Sequence, residues 1–164
     1  MNKQEAVRIV AIGANAAGLR AAARAKRLLP NAAVTVIDRG KFISYGACGM
    51  PYLVSGDIET ADKLRQTAYG VIRDPDFFQR AKGFEVVVQT EVERIDRETR
   101  KVVCRSLLTG ETQEYPFDKL ILATGATPVV PSGIPRNSPR ISTFKILEDA
   151  ISARLCSKAA VGDS

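Results

Sequence analysis

Residues 6–13, AVRIVAIG, form a near-continuous apolar run that ends in glycine. A run of this kind reads as a strand buried on both faces, as in a parallel sheet. GANAAGLRAAARAKRLLP (13–30) follows at once, alanine-rich, made of good helix formers, and stopped at Pro30. AAVTVIDRG (32–40) is a second, β-branched strand. Strand, helix and strand have the order and size of a βαβ crossover, which commits the chain to an α/β fold.

The rest of the chain extends that reading. DPDFFQRAKG (74–83) has the look of a short helix. Residues 84–96, 101–107 and 111–125 are strand-rich with turn signals between them. A proline-rich loop follows, and FKILEDAISARLCS (144–157) predicts a final helix. No repeat or low-complexity tract interrupts the pattern.

Composition narrows the function. Apolar residues make up 45% of the chain, a globular balance. No apolar run reaches the length of a membrane span, and MNKQEAVRIV reads directly into a strand, so no leader is expected. The expectation is a cytoplasmic protein with no membrane partner. The chain has no histidine, so hydrolytic triads that need an imidazole are excluded. Cys48, Cys104 and Cys156 are three in number, widely spaced and without a CxxC pair, which argues against a disulfide framework or a structural zinc site; no metal site is expected. The net charge of +6 suits a phosphate-rich small molecule as well as it suits nucleic acid. Aromatic and basic residues do not interleave in the RNA-binding manner, so nucleic acid is set aside.

Gly13 closing a strand and Gly18 near the start of a helix are the skeleton of a phosphate-binding turn. The first permits a tight turn; the second lets helix and strand pack closely; free N–H groups and the helix dipole then attract a pyrophosphate. The middle glycine of GxGxxG is replaced by Asn15, which tolerates unusual backbone angles. Asp38 ends the second strand, where a carboxylate can accept both ribose hydroxyls; the plainer alternative is that it caps a turn.

SYGACGMPY (44–52) surrounds Cys48 with Ser44, Gly46, Ala47 and Gly49. Small neighbours leave a thiol open to reagents, and a helix starting near Gly46, with Pro51 in its first turn, would favour the thiolate. The alternative is a small buried hydrophobe, the usual fate of a free cysteine.

VAIGANAAG, VTVIDRG, SYGACGMPYLVSGDI and KLILATGATPVVPSGIP together resemble the FAD-dependent pyridine nucleotide–disulfide oxidoreductases, more narrowly their single-cysteine branch of coenzyme A-disulfide reductases, NADH oxidases and NADH-dependent persulfide or polysulfide reductases. The resemblance implies an α/β, FAD/NAD(P)-binding Rossmann-like domain over 1–157, a parallel sheet with an antiparallel β-meander excursion, incomplete at its C-terminus. Residues 158–164 would then be a tail or the truncated start of a second nucleotide-binding domain. KAAVG would be that domain's first strand; alternatively AVGDS would echo a distal segment whose acid, here Asp163, meets the flavin.

Carried over by position, Gly13, Ala17 and Gly18 would cradle the FAD pyrophosphate. Asp38 would hold the adenosine ribose with Arg39 beside it, and Val92 would meet the adenine through its backbone. Ala123, Thr124 and Gly125 would run close to the cofactor. Cys48 would be the redox-active thiol over the flavin, without a second cysteine, since Ile43 stands where paired relatives have one. Electrons from NADH or NADPH would pass through FAD to a disulfide, persulfide or oxygen species at Cys48. A homodimer is a further implied partner.

Arg20, Arg24 and Arg27 fall at i, i+4 and i+7, on one helix face. The resemblance assigns these positions, with Ser44 and Lys82, to a coenzyme A-type substrate; the bland alternative is a solvated face. Coenzyme A-using relatives commonly carry asparagine before the cysteine, where Ala47 stands here. Two functions of different class remain: an enzyme portion that binds FAD, and a non-catalytic nucleotide-binding fragment.

Overall fold

The computed structural model describes residues 6–135 and 141–162, with side chains to 157 in the last helix. In chain order these residues form β1 (Arg8–Ile12), α1 (Ala16–Leu28), β2 (Ala33–Ile37), a 3-10 turn (Ala47–Gly49), α2 (Met50–Ser55), a second 3-10 turn (Ala61–Leu64), α3 (Pro75–Lys82), β3 (Glu85–Val87), β4 (Thr90–Asp96), β5 (Lys101–Ser106), β6 (Thr112–Pro116), β7 (Lys119–Leu122) and α4 (Leu147–Gly162). They divide into two compact units, Met1–Ser44 with Arg73–Gly125, and Tyr45–Ile72 with Ala126–Ser164.

The first unit holds a parallel sheet in the order β3-β2-β1-β7 and an antiparallel meander β4-β5-β6 inserted between β3 and β7. β1 is central and pairs with β2 from Arg8–Ala33 to Ile12–Ile37, and with β7 from Ile9–Lys119 to Ile12–Leu122. Side chains alternate across a strand, and both faces are covered. Ile9, Ala11, Val34 and Val36 pack with Leu19 and Ala22 of α1, with Phe78 of α3 and with Phe84. Val10, Ile12 and Ile37 pack on the other face against Val102 and Cys104 of the meander and Phe117. Burial on both faces is why β1 reads as a continuous apolar run rather than an alternating one.

The expected α/β architecture, a parallel sheet with an antiparallel excursion, is therefore the observed one. The structure also divides two stretches that read as continuous strand. Residues 84–96 split into β3 in the parallel sheet and β4 in the meander, with Gln89 at φ +50° between them. Residues 111–125 split into β6 and β7 at Phe117 and Asp118, where Asp118 N–H donates to the Arg8 carbonyl at 2.8 Å. In its side chain, Asp118 accepts from the Arg8 N–H at 2.7 Å and pairs with its guanidinium at 2.8 Å. That pairing holds the carboxyl down at about 2.

In the second unit α2 packs against α4, and Met50, Leu53, Leu64, Leu147 and Ala150 are its buried apolar residues. Arg154 Nη1 donates to the Ile58 carbonyl at 2.5 Å. Asp149 Oδ2 accepts the N–H groups of Lys145 and Ile146 at 2.6 and 2.9 Å, closing the start of α4. Helix α4 continues to Gly162, so residues 158–162 are helical and not a strand; Asp163 lies outside the described residues. No helix among the described residues is long and apolar enough to cross a membrane.

Candidate functional site

The turn between β1 and α1 is built from backbone packed on backbone. Gly13 has φ +109°, a conformation that only glycine adopts freely. Its N–H donates to the Ile37 carbonyl at 2.8 Å, which ties the turn to the end of β2. A Cβ on Gly13 would collide with the Ala123 carbonyl oxygen, and one on Gly18 with the Gly13 carbonyl oxygen. Gly13 therefore packs its backbone directly against that of Ala123, and Gly18 against that of Gly13. Both glycine roles read from the motif hold, and the neighbour that enforces the first is Ala123 at the end of β7. Asn15 precedes α1 with φ −108° and ψ −128°. Its φ is negative, so the position needs no glycine.

Helix α1 begins without a side-chain cap and without an acid in its first turn. The leading N–H groups of a helix have no partner inside it, and the positive end of the dipole lies there. Ala16 and Ala17 are exposed at this end and Gly18 is buried beneath them. A Ser, Thr, Asn or Asp cap would consume one of these donors; Asn15 leaves them open to an anion.

Asp38 sits at the other wall of the turn. Its Oδ2 accepts the Ala14 N–H at 2.5 Å and its Oδ1 the Gly40 N–H at 2.7 Å. Its own N–H donates to the Val87 carbonyl at 2.8 Å, and its carbonyl accepts from Thr90 at 3.0 Å. Each carboxylate oxygen keeps a second lone pair. The two readings of Asp38, turn cap and ligand acceptor, are thus compatible. Ser44, in the left-handed region at φ +54°, donates its N–H to the Ala14 carbonyl at 3.0 Å.

The structure brings Gly13, Gly18, Asp38, Ser44 and Ala123 together and leaves other expected residues at its margins. Arg39 is exposed, as are Thr124 and Gly125. Val92 is half-buried against the meander core, on the strand edge that β5 does not cover. Thr90 N–H points outward from that edge to Asp38, and strand alternation gives Val92 the same outward backbone. Arg20, Arg24 and Arg27 are exposed on the face of α1 opposite its buried Gly18, Leu19 and Ala22. Lys82, also exposed, ends α3. The next residue, Gly83, would carry a Cβ 3.4 Å from Lys26 Cε, so α3 ends beside the second half of α1.

Cys48 lies in the second unit, in the 3-10 turn that precedes α2, and is exposed. That removes the reading of a small buried hydrophobe for Cys48. Pro51 occupies the first turn of α2, as expected. Gly49 is small for a reason the motif did not reveal: a Cβ there would run into Leu64 Cδ2 and lie 3.5 Å from Ile58 Cδ1. Packing within the unit therefore bears on that position, through the tip of a flexible side chain. Gly46 has room, its nearest neighbour being the Leu64 carbonyl at 3.8 Å. The same carbonyl accepts the Gly46 N–H at 2.9 Å. Cys104 is buried in the meander core, which pushes its thiol up to about 11. Cys156 is exposed on α4.

Sequence reasoning anticipated the acid but missed its partners. Ala14 and Gly40 offer no side-chain signal; the glycine of DRG is the residue from which a close approach could have been read. A Cβ on Gly40 would stand 3.0 Å from Asp38 Oδ1.

Comparison with known proteins agrees with the fold. A family model described as pyridine nucleotide-disulphide oxidoreductase matches residues 7–160. The chain is 34% identical over 147 residues to an NAD(P)H coenzyme A polysulfide/persulfide reductase of Pyrococcus horikoshii, covering 90% of this chain and 31% of that protein. It is 29% identical over 143 residues to a coenzyme A disulfide reductase of Staphylococcus haemolyticus, covering 87% of this chain and 30% of the relative. A solved NAD-dependent persulfide reductase from A. fulgidus superposes with a TM-score of 0.86 at 35% identity, over 92% of this chain and 27% of the other. The chain thus spans under a third of the length of each of these three proteins.

Proposed function

The chain belongs to the pyridine nucleotide-disulphide oxidoreductase family, and on that premise we propose that it is the FAD-holding portion of an oxidoreductase that uses NADH or NADPH to reduce a disulfide, a persulfide or polysulfide, or an oxygen species. The observation that carries this reading is the uncapped start of α1 facing the Asp38 carboxylate across the Gly13 turn. A dinucleotide needs both parts, donors for its diphosphate and an acceptor for its ribose. The residues present fit that requirement.

In this reading the N–H groups of Ala16, Ala17 and Gly18 donate to the diphosphate, and Gly13 makes the tight turn, packed on Ala123, that leads into them. The remaining lone pairs of Asp38 accept ribose hydroxyls, with Arg39 beside them. Val92 meets the adenine through its outward backbone, and Ala123, Thr124 and Gly125 run along the cofactor. A bound flavin supplies two-electron exchange between a nicotinamide and sulfur. Cys48 is the redox thiol. Its thiolate attacks one sulfur of the substrate, the substrate S–S bond breaks, a mixed disulfide forms at Cys48, and the displaced thiolate departs. Arg20, Arg24, Arg27 and Lys82, with Ser44, serve a phosphate-bearing handle such as that of coenzyme A. Residues 1–157 form the FAD portion and 158–164 a tail or the start of a further nucleotide domain. The setting is cytoplasmic, where free thiols persist, and the assembly a homodimer.

Titration of the purified chain with FAD, followed by flavin fluorescence, tests the premise: quenching saturates at one equivalent, and Asp38→Ala weakens it by about tenfold or more. A chain that leaves the fluorescence unchanged overturns the reading. Incubation with coenzyme A disulfide and mass analysis of the peptides tests the thiol, with the adduct expected on Cys48 and lost in Cys48→Ser. An adduct confined to Cys156 assigns Cys48 no role.

A further inference from the structure

Ala14 is fully buried, and its N–H precedes the helix, so α1 has no use for it. The group that satisfies it is a carboxylate oxygen 24 residues away, at 2.5 Å. The other oxygen of the same carboxylate holds the Gly40 N–H at 2.7 Å, and Gly40 in turn accepts the Gln89 N–H at 3.1 Å. The Ala14 carbonyl is held by Ser44. One side chain thus joins the β1–α1 turn to the β2 exit and, through Gly40, to the entry of β4. It does so without touching the α1 donors that an anion would use.

We propose that Asp38 is a positioning residue of the nucleotide turn: its two bonds to the Ala14 and Gly40 N–H groups set the shape of the turn before any nucleotide arrives. This rests on the reading of the turn as an FAD site, and adds to the ribose contact a second, ligand-independent task for the same carboxylate. Charge-assisted bonds to backbone N–H groups are the stronger kind, and a buried donor stripped of its acceptor is costly. The clamp also explains Gly40, since any Cβ there would press on Oδ1 at 3.0 Å.

Asp38→Asn is the informative change. It keeps the shape and one acceptor, but its NH2 must face one of two N–H donors. The first measurement is amide hydrogen exchange on the nucleotide-free chain. We expect exchange at Ala14 or Gly40 to accelerate about tenfold or more in the variant, with the amides of β1 and β2 unchanged. The second is affinity for FAD and for the analogue whose adenosine ribose lacks both hydroxyls. If Asp38 positions the turn, Asn weakens both ligands; if it serves the ribose alone, the loss vanishes with the analogue and the exchange rates stay as they were. That second pair of results overturns the proposal. Asp38→Glu, with two charged acceptors restored, recovers part of the affinity that Asn loses. Should Asp38→Asn not fold, Gly40→Ala displaces Oδ1 while leaving the charge, and accelerates the same two amides. Unchanged rates there also overturn the proposal. A wild-type chain that binds no FAD defeats the functional reading, while the exchange result still decides the clamp.

Discussion

The two units treat glycine differently, and the difference separates a site from its surroundings. In the first unit Gly13 and Gly18 are hemmed in by backbone carbonyl oxygens, those of Ala123 and of Gly13 itself. Backbone in a sheet covered on both faces has nowhere to go. In the second unit Gly49 is hemmed in by the tip of Leu64, a flexible side chain beside a six-residue helix. The first arrangement is rigid down to the main chain; the second can yield. A glycine-rich sequence around a functional residue therefore means different things in the two places.

The widest gap between the units appears on adding one methyl group. Gly13→Ala forces a left-handed backbone on alanine and drives its Cβ into the Ala123 carbonyl, at a cost of about 3 kcal/mol or more. Denaturant unfolding is expected to show that loss, together with loss of FAD quenching. A stable Gly13→Ala chain would show that the turn is as soft as the cysteine segment, and the contrast would collapse.

How much was legible follows the same line. β1, α1 and β2 were readable because burial on both faces, helix propensity and Pro30 each leave marks in the residues themselves. The meander was readable as strands, but its joints were not. Gln89 turns the chain at φ +50° with a residue type that carries no turn signal, so 84–96 reads as one strand. Helix α2 was legible only at its start, through Pro51; its extent was not, since MPYLVS is too short to show a period and is held by packing on α4. Asp38 was legible as an acid at a strand end. Its grip on Ala14 was not, because a backbone N–H leaves no trace in a sequence.

Thiol chemistry gives a second contrast. Cys48 and Cys156 are exposed in the second unit, while Cys104 is sealed in the first with its thiol pushed up to about 11. A chromogenic disulfide is expected to titrate two thiols in the native chain and the third only after unfolding. Rapid reaction of all three would mean that the meander opens readily, and that the first unit is not the rigid one.

Acid should act on the first unit through named groups. Asp118 is held at about 2, chiefly by the Arg8 side chain, and Asp96 at about 2, chiefly by the Thr99 N–H. A carboxyl depressed in the folded state contributes stability above its ordinary range, and that contribution fades as pH falls from about 4 toward 2. Asp118→Asn is expected to lower stability at neutral pH and to flatten this acid limb. Asp118 and its Arg8 partner are partly exposed, so salt should reduce the effect. An acid limb unchanged by Asp118→Asn would remove this tie from β1 and β7.

The smallest effect belongs to Gly49→Ala. Its new Cβ meets Leu64 Cδ2, which can rotate away at the expense of some packing against its neighbours. The expected loss is about 1 kcal/mol, at the low end for overpacking. The turn angles allow the change, since Gly49 has φ −85° and ψ −9°, open to any residue. Reaction of Cys48 with a disulfide should persist in this variant, because the thiol is exposed and the displaced atom belongs to Leu64. Loss of that reaction while the chain stays folded would mean that the space at position 49 serves the substrate after all. The glycine of the second unit would then answer to a ligand while those of the first answer to backbone carbonyls, and the softness of Leu64 would no longer account for the difference between them.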